Sequence, residues 1–216
     1  GTSHARDFLA PMGWDVAQGP FPGGDDFQGD SLWGGYQSTA SGANSVAAAI
    51  NTGAVQGGII LLDAGDANAG RSDLSWGLHY QGQLNCTYVA RFKVPVLTTR
   101  KFEIGFTDVI SGTDAGAVNA KATPTWTADN AVVLVFDSSD DTNLTLMGVK
   151  ATVASAVSDF TEITLVADTD YYFIVGLEGT DAYAKVLDAA GRQIGYEHKI
   201  ADAVTATTLL TPWLFV

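Results

Sequence analysis

The chain is 216 residues long, 46% hydrophobic and 16% charged, which is enough apolar material for a packed core and excludes wholesale disorder. Acidic side chains outnumber basic ones 24 to 11, and the net charge of −13 argues against nucleic acid and anionic membrane surfaces, both of which reward Lys and Arg. One cysteine, Cys86, cannot form an internal disulfide, and no apolar run approaches the roughly 20 residues of a membrane helix.

Residues 1–57 are punctuated by Gly and Pro, as in Gly19-Pro20-Phe21-Pro22-Gly23-Gly24, and carry isolated aromatics. Such a composition prevents regular ladders while letting aromatic side chains anchor extended chain on a surface. The reading is an extended N-terminal docking arm whose contacts are Trp14, Phe21, Phe27 and Trp33. Within it, one strand is expected over residues 32–38 and a short helical turn over residues 44–50.

From residue 58 the pattern becomes that of strands. Residues 59–62 are a short apolar run, and residues 84–94 alternate, with Tyr88, Ala90, Phe92 and Val94 on one face. Residues 101–107 alternate as well, and 131–136 are continuously apolar, as in a strand buried on both faces. Further strands are expected over residues 143–150, 161–166, 171–178, 182–188, 192–199 and 208–216. Short polar turns such as Asp137-Ser138-Ser139-Asp140-Asp141 separate them. Many short strands without long helical periods predict an all-β antiparallel sandwich over residues 58–216.

Chemistry-bearing patterns are sparse. Glycoside hydrolysis needs two carboxylates flanking the bond. Glu103, Glu162, Glu178 and Glu197 each stand alone in a strand, so no catalytic pair is expected. His4, His79 and His198 are scattered, and no nucleophile elbow accompanies them. One cysteine and three distant histidines give no zinc spacing. Calcium is the one cofactor left open, with Asp137, Asp140 and Asp141 as its candidate ligands and Asp63, Asp66, Asn68 and Asp73 as a second cluster. Turn formation is the stronger reading of the same residues, because Asp and Asn side chains bond the local backbone. Aromatics able to stack on sugar rings are Trp76, Tyr80, Trp126 and Tyr183, together with Tyr171 and Tyr196, with core packing as the competing role.

The ordered series Tyr88-Val89-Ala90-Arg91-Phe92-Lys93-Val94, Phe102-Glu103-Ile104-Gly105-Phe106-Thr107-Asp108 and Asn130-Ala131-Val132-Val133-Leu134-Val135-Phe136-Asp137 continues through Leu146-Met147-Gly148-Val149-Lys150 and Asp168-Thr169-Asp170-Tyr171-Tyr172. It closes with Val204 to Thr211-Pro212-Trp213. The series resembles the concanavalin-A-like jelly-roll module of virion structural proteins in tailed bacteriophages. That resemblance implies a further closing strand after residue 216, and no catalytic residues. It implies a non-enzymatic virion protein, a head-decoration or fibre component whose partners are capsid or tail proteins of the same particle. The alternative is a lectin-like adhesion module that binds host or environmental polysaccharide. The apolar ending Trp213-Leu214-Phe215-Val216 predicts a paired strand and a homo-oligomer.

Overall fold

A continuous apolar run has no polar face to offer water, and β9 (Ala131–Asp137) is buried on both sides at every position from Ala131 to Phe136. The computed structural model describes residues 35–50, 60–65, 70–110 and 116–216, and it sets β9 inside the larger of two main antiparallel sheets. That sheet runs β1 (Ala40–Ser41), β4 (Arg71–Ser75), β16 (Thr211–Phe215), β6 (Lys101–Thr107), β9, β10 (Leu144–Lys150) and β11 (Val153–Ala154), with β12 (Ser158–Asp159) also paired to β10. The smaller sheet runs β15 (Gln193–Ile200), β14 (Asp181–Leu187), β13 (Asp170–Glu178) and β5 (Thr87–Lys93). Two short ribbons complete the described chain, β2 (Val46–Ile50) with β3 (Ile60–Asp63) and β7 (Val118–Ala120) with β8 (Thr125–Trp126).

The sheets pack face to face. Phe102, Ile104 and Phe106 of β6 join Val132, Leu134 and Phe136 of β9 against Ala90, Phe173, Val175 and Ala184 of the smaller sheet. Phe102 stacks on Phe136 at 5.2 Å and meets Phe173 edge-on at 5.9 Å. Each such buried ring or aliphatic side chain contributes about 1.5–3 kcal/mol. A second apolar layer covers the other face of the large sheet. There Val133, Val135, Met147, Val149, Trp213 and Phe215 lie under Ala117, Val118, Ala128 and Trp126. This second layer is why β9 needs apolar residues on both faces.

Several expectations change. Residues 37–50, read as part of the arm, belong to the sandwich: Gln37 bridges Ser75, β1 pairs with β4, and β2 pairs with β3. The helical turn expected over residues 44–50 is instead strand β2, because pairing with β3 outweighs the helix propensity of its alanines. Of the strand expected over 32–38, the described part makes one isolated bridge, at Gln37. Residues 161–166 form no strand, although Ile163 and Leu165 are buried there. Trp14, Phe21, Phe27 and Trp33 lie outside the described residues. The apolar ending is paired within the sheet: β16 lies between β4 and β6, and Trp213 is fully buried.

Candidate functional site

The covered face of the large sheet has a carboxylate at its centre. Alternation in β6 turns Phe102, Ile104 and Phe106 to the inter-sheet core and Glu103 to the other side, where it is fully buried. An isolated buried carboxylate would cost many kcal/mol, so it must collect donors. Glu103 takes the backbone N–H groups of Ala117 at 2.7 Å and Val118 at 3.1 Å, the Trp213 indole N–H at 3.0 Å, and the Lys101 ammonium at 2.9 Å. Lys101 in turn donates to the Val118 carbonyl. The segment that begins β7 is thereby tied down over the face. Asp73, in the same cross-strand row beyond Phe215, is also fully buried and accepts from the Thr39 N–H and hydroxyl.

The sequence-selected aromatics fall in three places. Trp76 meets Tyr36 at 5.2 Å and Tyr88 at 5.5 Å, both edge-on, and Tyr80 packs on Phe106 at 6.0 Å, which also touches Tyr88. Trp76 and Tyr80 therefore share one half-buried cluster beside the inter-sheet core. Burial pushes the phenols of Tyr80 and Tyr88 up, helped by Cys86 beside Tyr80 and by Tyr80 beside Tyr88. Trp126 is elsewhere, in the layer over the large sheet, where its indole nitrogen is buried without a hydrogen-bond partner.

Tyr183 lies on the outer face of the smaller sheet. Its ring rests against Gly176, where a Cβ would come within 2.1 Å of Cζ, and its hydroxyl is 2.9 Å from the Thr87 hydroxyl. The ammoniums of Lys185 and Lys199 stand 5.4 and 5.8 Å from the ring centroid and pair with Glu197. Tyr171 is buried in the inter-sheet core.

The three aspartates of the calcium expectation do not converge. Asp137 accepts from the Ser139 N–H and hydroxyl, and Asp141 accepts from the Lys121 ammonium and the Asn143 N–H. The turn uses these carboxylates for its own backbone and for Lys121. Asp63 caps the N–H of Gly65 at 2.9 Å. Among the described residues, no three His, Cys, Asp or Glu side chains are grouped to hold a metal.

One constellation was not anticipated from the sequence. His198 Nε2 donates to Glu162 at 2.9 Å, its Nδ1 is 2.8 Å from the Ser158 hydroxyl, and its ring stacks on Phe160 at 3.8 Å. Glu162 also accepts the Tyr196 N–H at 3.0 Å. Burial pushes the Glu162 carboxyl up, but the Tyr196 and His198 bonds outweigh it and hold the group below its ordinary range. A bulge makes this possible: Ile194 faces Val186 and His198 faces Ala184, so residues 195–197 stand opposite Lys185 alone. Gly195 adopts φ +69, and a Cβ there would lie 2.5 Å from Glu162 Oε1. The one advance signal was a glycine inside an alternating strand.

Solved structures share this architecture. The enzymatically active domain of tailspike protein 2 from bacteriophage CBA120 superposes with a TM-score of 0.51 at 13% identity, over 86% of this chain and 26% of that one. The exoplasmic/lumenal domain of VIP36, in its Ca2+/Man2-bound form, superposes with a TM-score of 0.56 at 10% identity, over 88% of this chain and 78% of that one. The fold is a concanavalin-A-like jelly roll. This chain spans about a quarter of the tailspike chain it matches. No protein-family model matches the chain, and no curated protein matches it.

Proposed function

We propose that this chain is a non-enzymatic module of a tailed-phage particle that holds glycan without cutting it. The observation that carries the reading is the sealing of Glu103. The carboxylate at the centre of the covered face is bound by four donors and buried under the segment that begins β7, so it has neither a free lone pair to attack an anomeric carbon nor space for a sugar. Glycosidases need two carboxylates reaching opposite sides of the scissile bond, and Asp73 is equally enclosed.

Support for the phage and glycan parts is of a different kind. The segment order resembles virion jelly rolls, one structure of the same fold is a phage tailspike domain, and another was solved in a Ca2+/Man2-bound form. Fold likeness alone does not carry function across, which makes this half of the reading the one to test first. In this reading the protein is carried on the virion as a homo-oligomer, beside capsid or tail proteins. A head-decoration or fibre position suits it, with the segment holding Trp14, Phe21, Phe27 and Trp33 as its attachment.

The test uses biotinylated protein tetramerised on streptavidin, since weak single sites become measurable through multivalency. It is applied to an array of bacterial polysaccharides, and bound polysaccharide is then assayed for new reducing ends. Retention without new reducing ends is the expected result. Release of reducing ends overturns the non-enzymatic reading, and silence across the array overturns the glycan reading. Antibody labelling of purified particles tests the virion assignment, and light scattering tests the oligomer.

A further inference from the structure

Tyr196 is 72% exposed, the highest value among the large hydrophobic side chains described. A single exposed aromatic needs no explanation in general, but this one is presented by a costly local structure. The bulge over residues 195–197 and the left-handed Gly195 lift it out of the regular ladder, and its own N–H is fixed to Glu162. A bulge also protects an edge strand such as β15, but this one in addition turns an aromatic ring to solvent beside a carboxylate. Bulges that re-aim a side chain recur beside functional sites.

The groups around Tyr196 have the chemistry of a sugar site. Glu162 accepts the Tyr196 N–H and the His198 Nε2–H on Oε1 and its own backbone N–H as well, and the lone pairs that remain on its two oxygens can accept ligand hydroxyls. Its side chain is 23% exposed, so water reaches it. Its orientation is held from behind by the chain Ser158–His198–Glu162 and by the stacking of His198 on Phe160. The exposed Gln193 amide donates to the Gly195 carbonyl at 3.3 Å, which holds it at the bulge and keeps its own carbonyl and a second N–H for a ligand. An aromatic plate accepts the C–H face of a pyranose, while a planar carboxylate and a planar amide match vicinal hydroxyls as acceptor and donor.

The other aromatics lack this combination. Tyr183 is backed by Gly176 and flanked by two lysines that already pair with Glu197. Trp76 and Tyr80 share their edges with neighbouring rings. Charge selects the ligand further. Glu162 carries a negative charge at the site, and the chain as a whole is at −13. An acidic sugar is repelled by both.

We propose that Tyr196, Glu162 and Gln193 form a binding site for one unit of a neutral, hydroxyl-rich polysaccharide, with Ser158 and His198 as positioning residues. The proposal rests on the glycan-binding reading above and names its site. The probes are dextran, mannan and a galactan as neutral polymers and alginate as an acidic one, each cast into a native gel through which the full chain migrates. The expected result is retardation by at least one neutral polymer, none by alginate, and a loss of roughly tenfold in apparent affinity in Tyr196→Ala and in Gln193→Ala. Tyr196→Trp, which keeps the plate, is expected to restore retardation.

Retardation that persists in Tyr196→Ala and disappears in Trp76→Ala or Tyr183→Ala overturns this site while the glycan reading stands. Retardation by alginate alone overturns the neutral class. No retardation in any gel overturns the reading and the site together. Tyr196 and Gln193 are both exposed, so their truncation leaves the fold intact, and the unfolding midpoint of each variant serves as the control.

Discussion

Trp213 donates its indole N–H to the Glu103 carboxylate at 3.0 Å, from the neighbouring strand of the same sheet, and both side chains are closed to water. The pair joins two kinds of need. A buried indole wants an acceptor, and a buried carboxylate wants several donors. Around the pair, Lys101 and the N–H groups of Ala117 and Val118 complete the set, so one residue fixes the layer that covers the sheet.

Removing Glu103 is therefore a severe change. Glu103→Ala leaves two backbone N–H groups and an indole N–H without their acceptor and takes an ion-pair partner from the half-buried Lys101. Breaking a buried charge pair from one side costs about 3–5 kcal/mol. Trp213→Phe keeps most of the volume and removes one bond to a charged group, for which about 1.5–3 kcal/mol is expected. Urea unfolding followed by tryptophan fluorescence or circular dichroism measures both. A cost below 1 kcal/mol for Glu103→Ala shows that water enters and that the face is less sealed than described.

How far the sequence discloses this architecture depends on whether a residue's partner is local. The double burial of residues 131–136 is written in the run itself, and so are the alternating faces of β5 and β6. Strand β4, Arg-Ser-Asp-Leu-Ser, reads as a loop because its polar side chains are satisfied from afar. Ser72 donates to the Val46 carbonyl, Ser75 to the Ile110 carbonyl, and Asp73 accepts from Thr39. The burial of Glu103 is hidden for the same reason, since Trp213 is 110 positions away. Histidines scattered in sequence gave no hint that His198 sits between Ser158 and Glu162, separated from them by 40 and 36 positions. The small residues of 40–50 fit a helical turn as well as a strand, and only pairing with β3 and β4 decides for strand.

The platform under Tyr183 gives a prediction about steric space. Gly176→Ala puts a methyl 2.1 Å from Tyr183 Cζ, and the ring has to swing off the sheet and release Thr87. Overpacking of this kind costs about 1–3 kcal/mol. Because one ring is responsible, the cost falls when Tyr183→Ala is already present, and the double variant is more stable than the sum of the single changes predicts. Additive costs in urea unfolding show that the clash is with something else.

Acid stability follows from the direction of the carboxyl shifts. Glu162, Asp141, Asp188 and Glu197 are all held below their ordinary values in the folded chain. For Asp188 the cause is the Arg192 backbone N–H and then its guanidinium, and for Glu197 it is chiefly Lys185. For Glu162 and Asp141 burial acts first in the opposite sense and is outweighed, at Asp141 by Lys121 and the Asn143 N–H. A lowered carboxyl means that the unfolded chain binds more protons as pH falls. The stabilisation is full above the ordinary values of 3.8 for Asp and 4.5 for Glu and is lost as pH drops through the folded ones. Asp108 works the other way, because burial outweighs the Asn130 bonds and raises it. The unfolding midpoint is expected to be flat down to about pH 5 and then to fall. Glu162→Gln flattens part of that fall, and an unchanged acid limb in that variant disproves the role given to the Tyr196 and His198 bonds.

The last prediction concerns β16, which the sequence leaves open as an edge and the fold uses as a centre. Trp213 faces Ser75 on one side and Gly105 on the other, so deleting residues 211–216 removes a strand from the middle of the large sheet. Strands β1 and β4 then lose their attachment to β6. Trp213 and Phe215 leave the layer over the sheet, Leu214 leaves the inter-sheet core, and Glu103 loses its indole donor. Truncating a buried aromatic alone costs about 3–5 kcal/mol. Losing two of them with a leucine and two ladders exceeds the 5–15 kcal/mol by which domains are typically stable. A chain ending at Leu210 is thus expected to show no cooperative unfolding transition. Trp213→Ala, which keeps the ladder, is expected to unfold cooperatively at a lower urea midpoint. Cooperative unfolding of the truncated chain with native-like circular dichroism shows instead that β4 can close directly onto β6, and that β16 is an addition to the sheet rather than its middle.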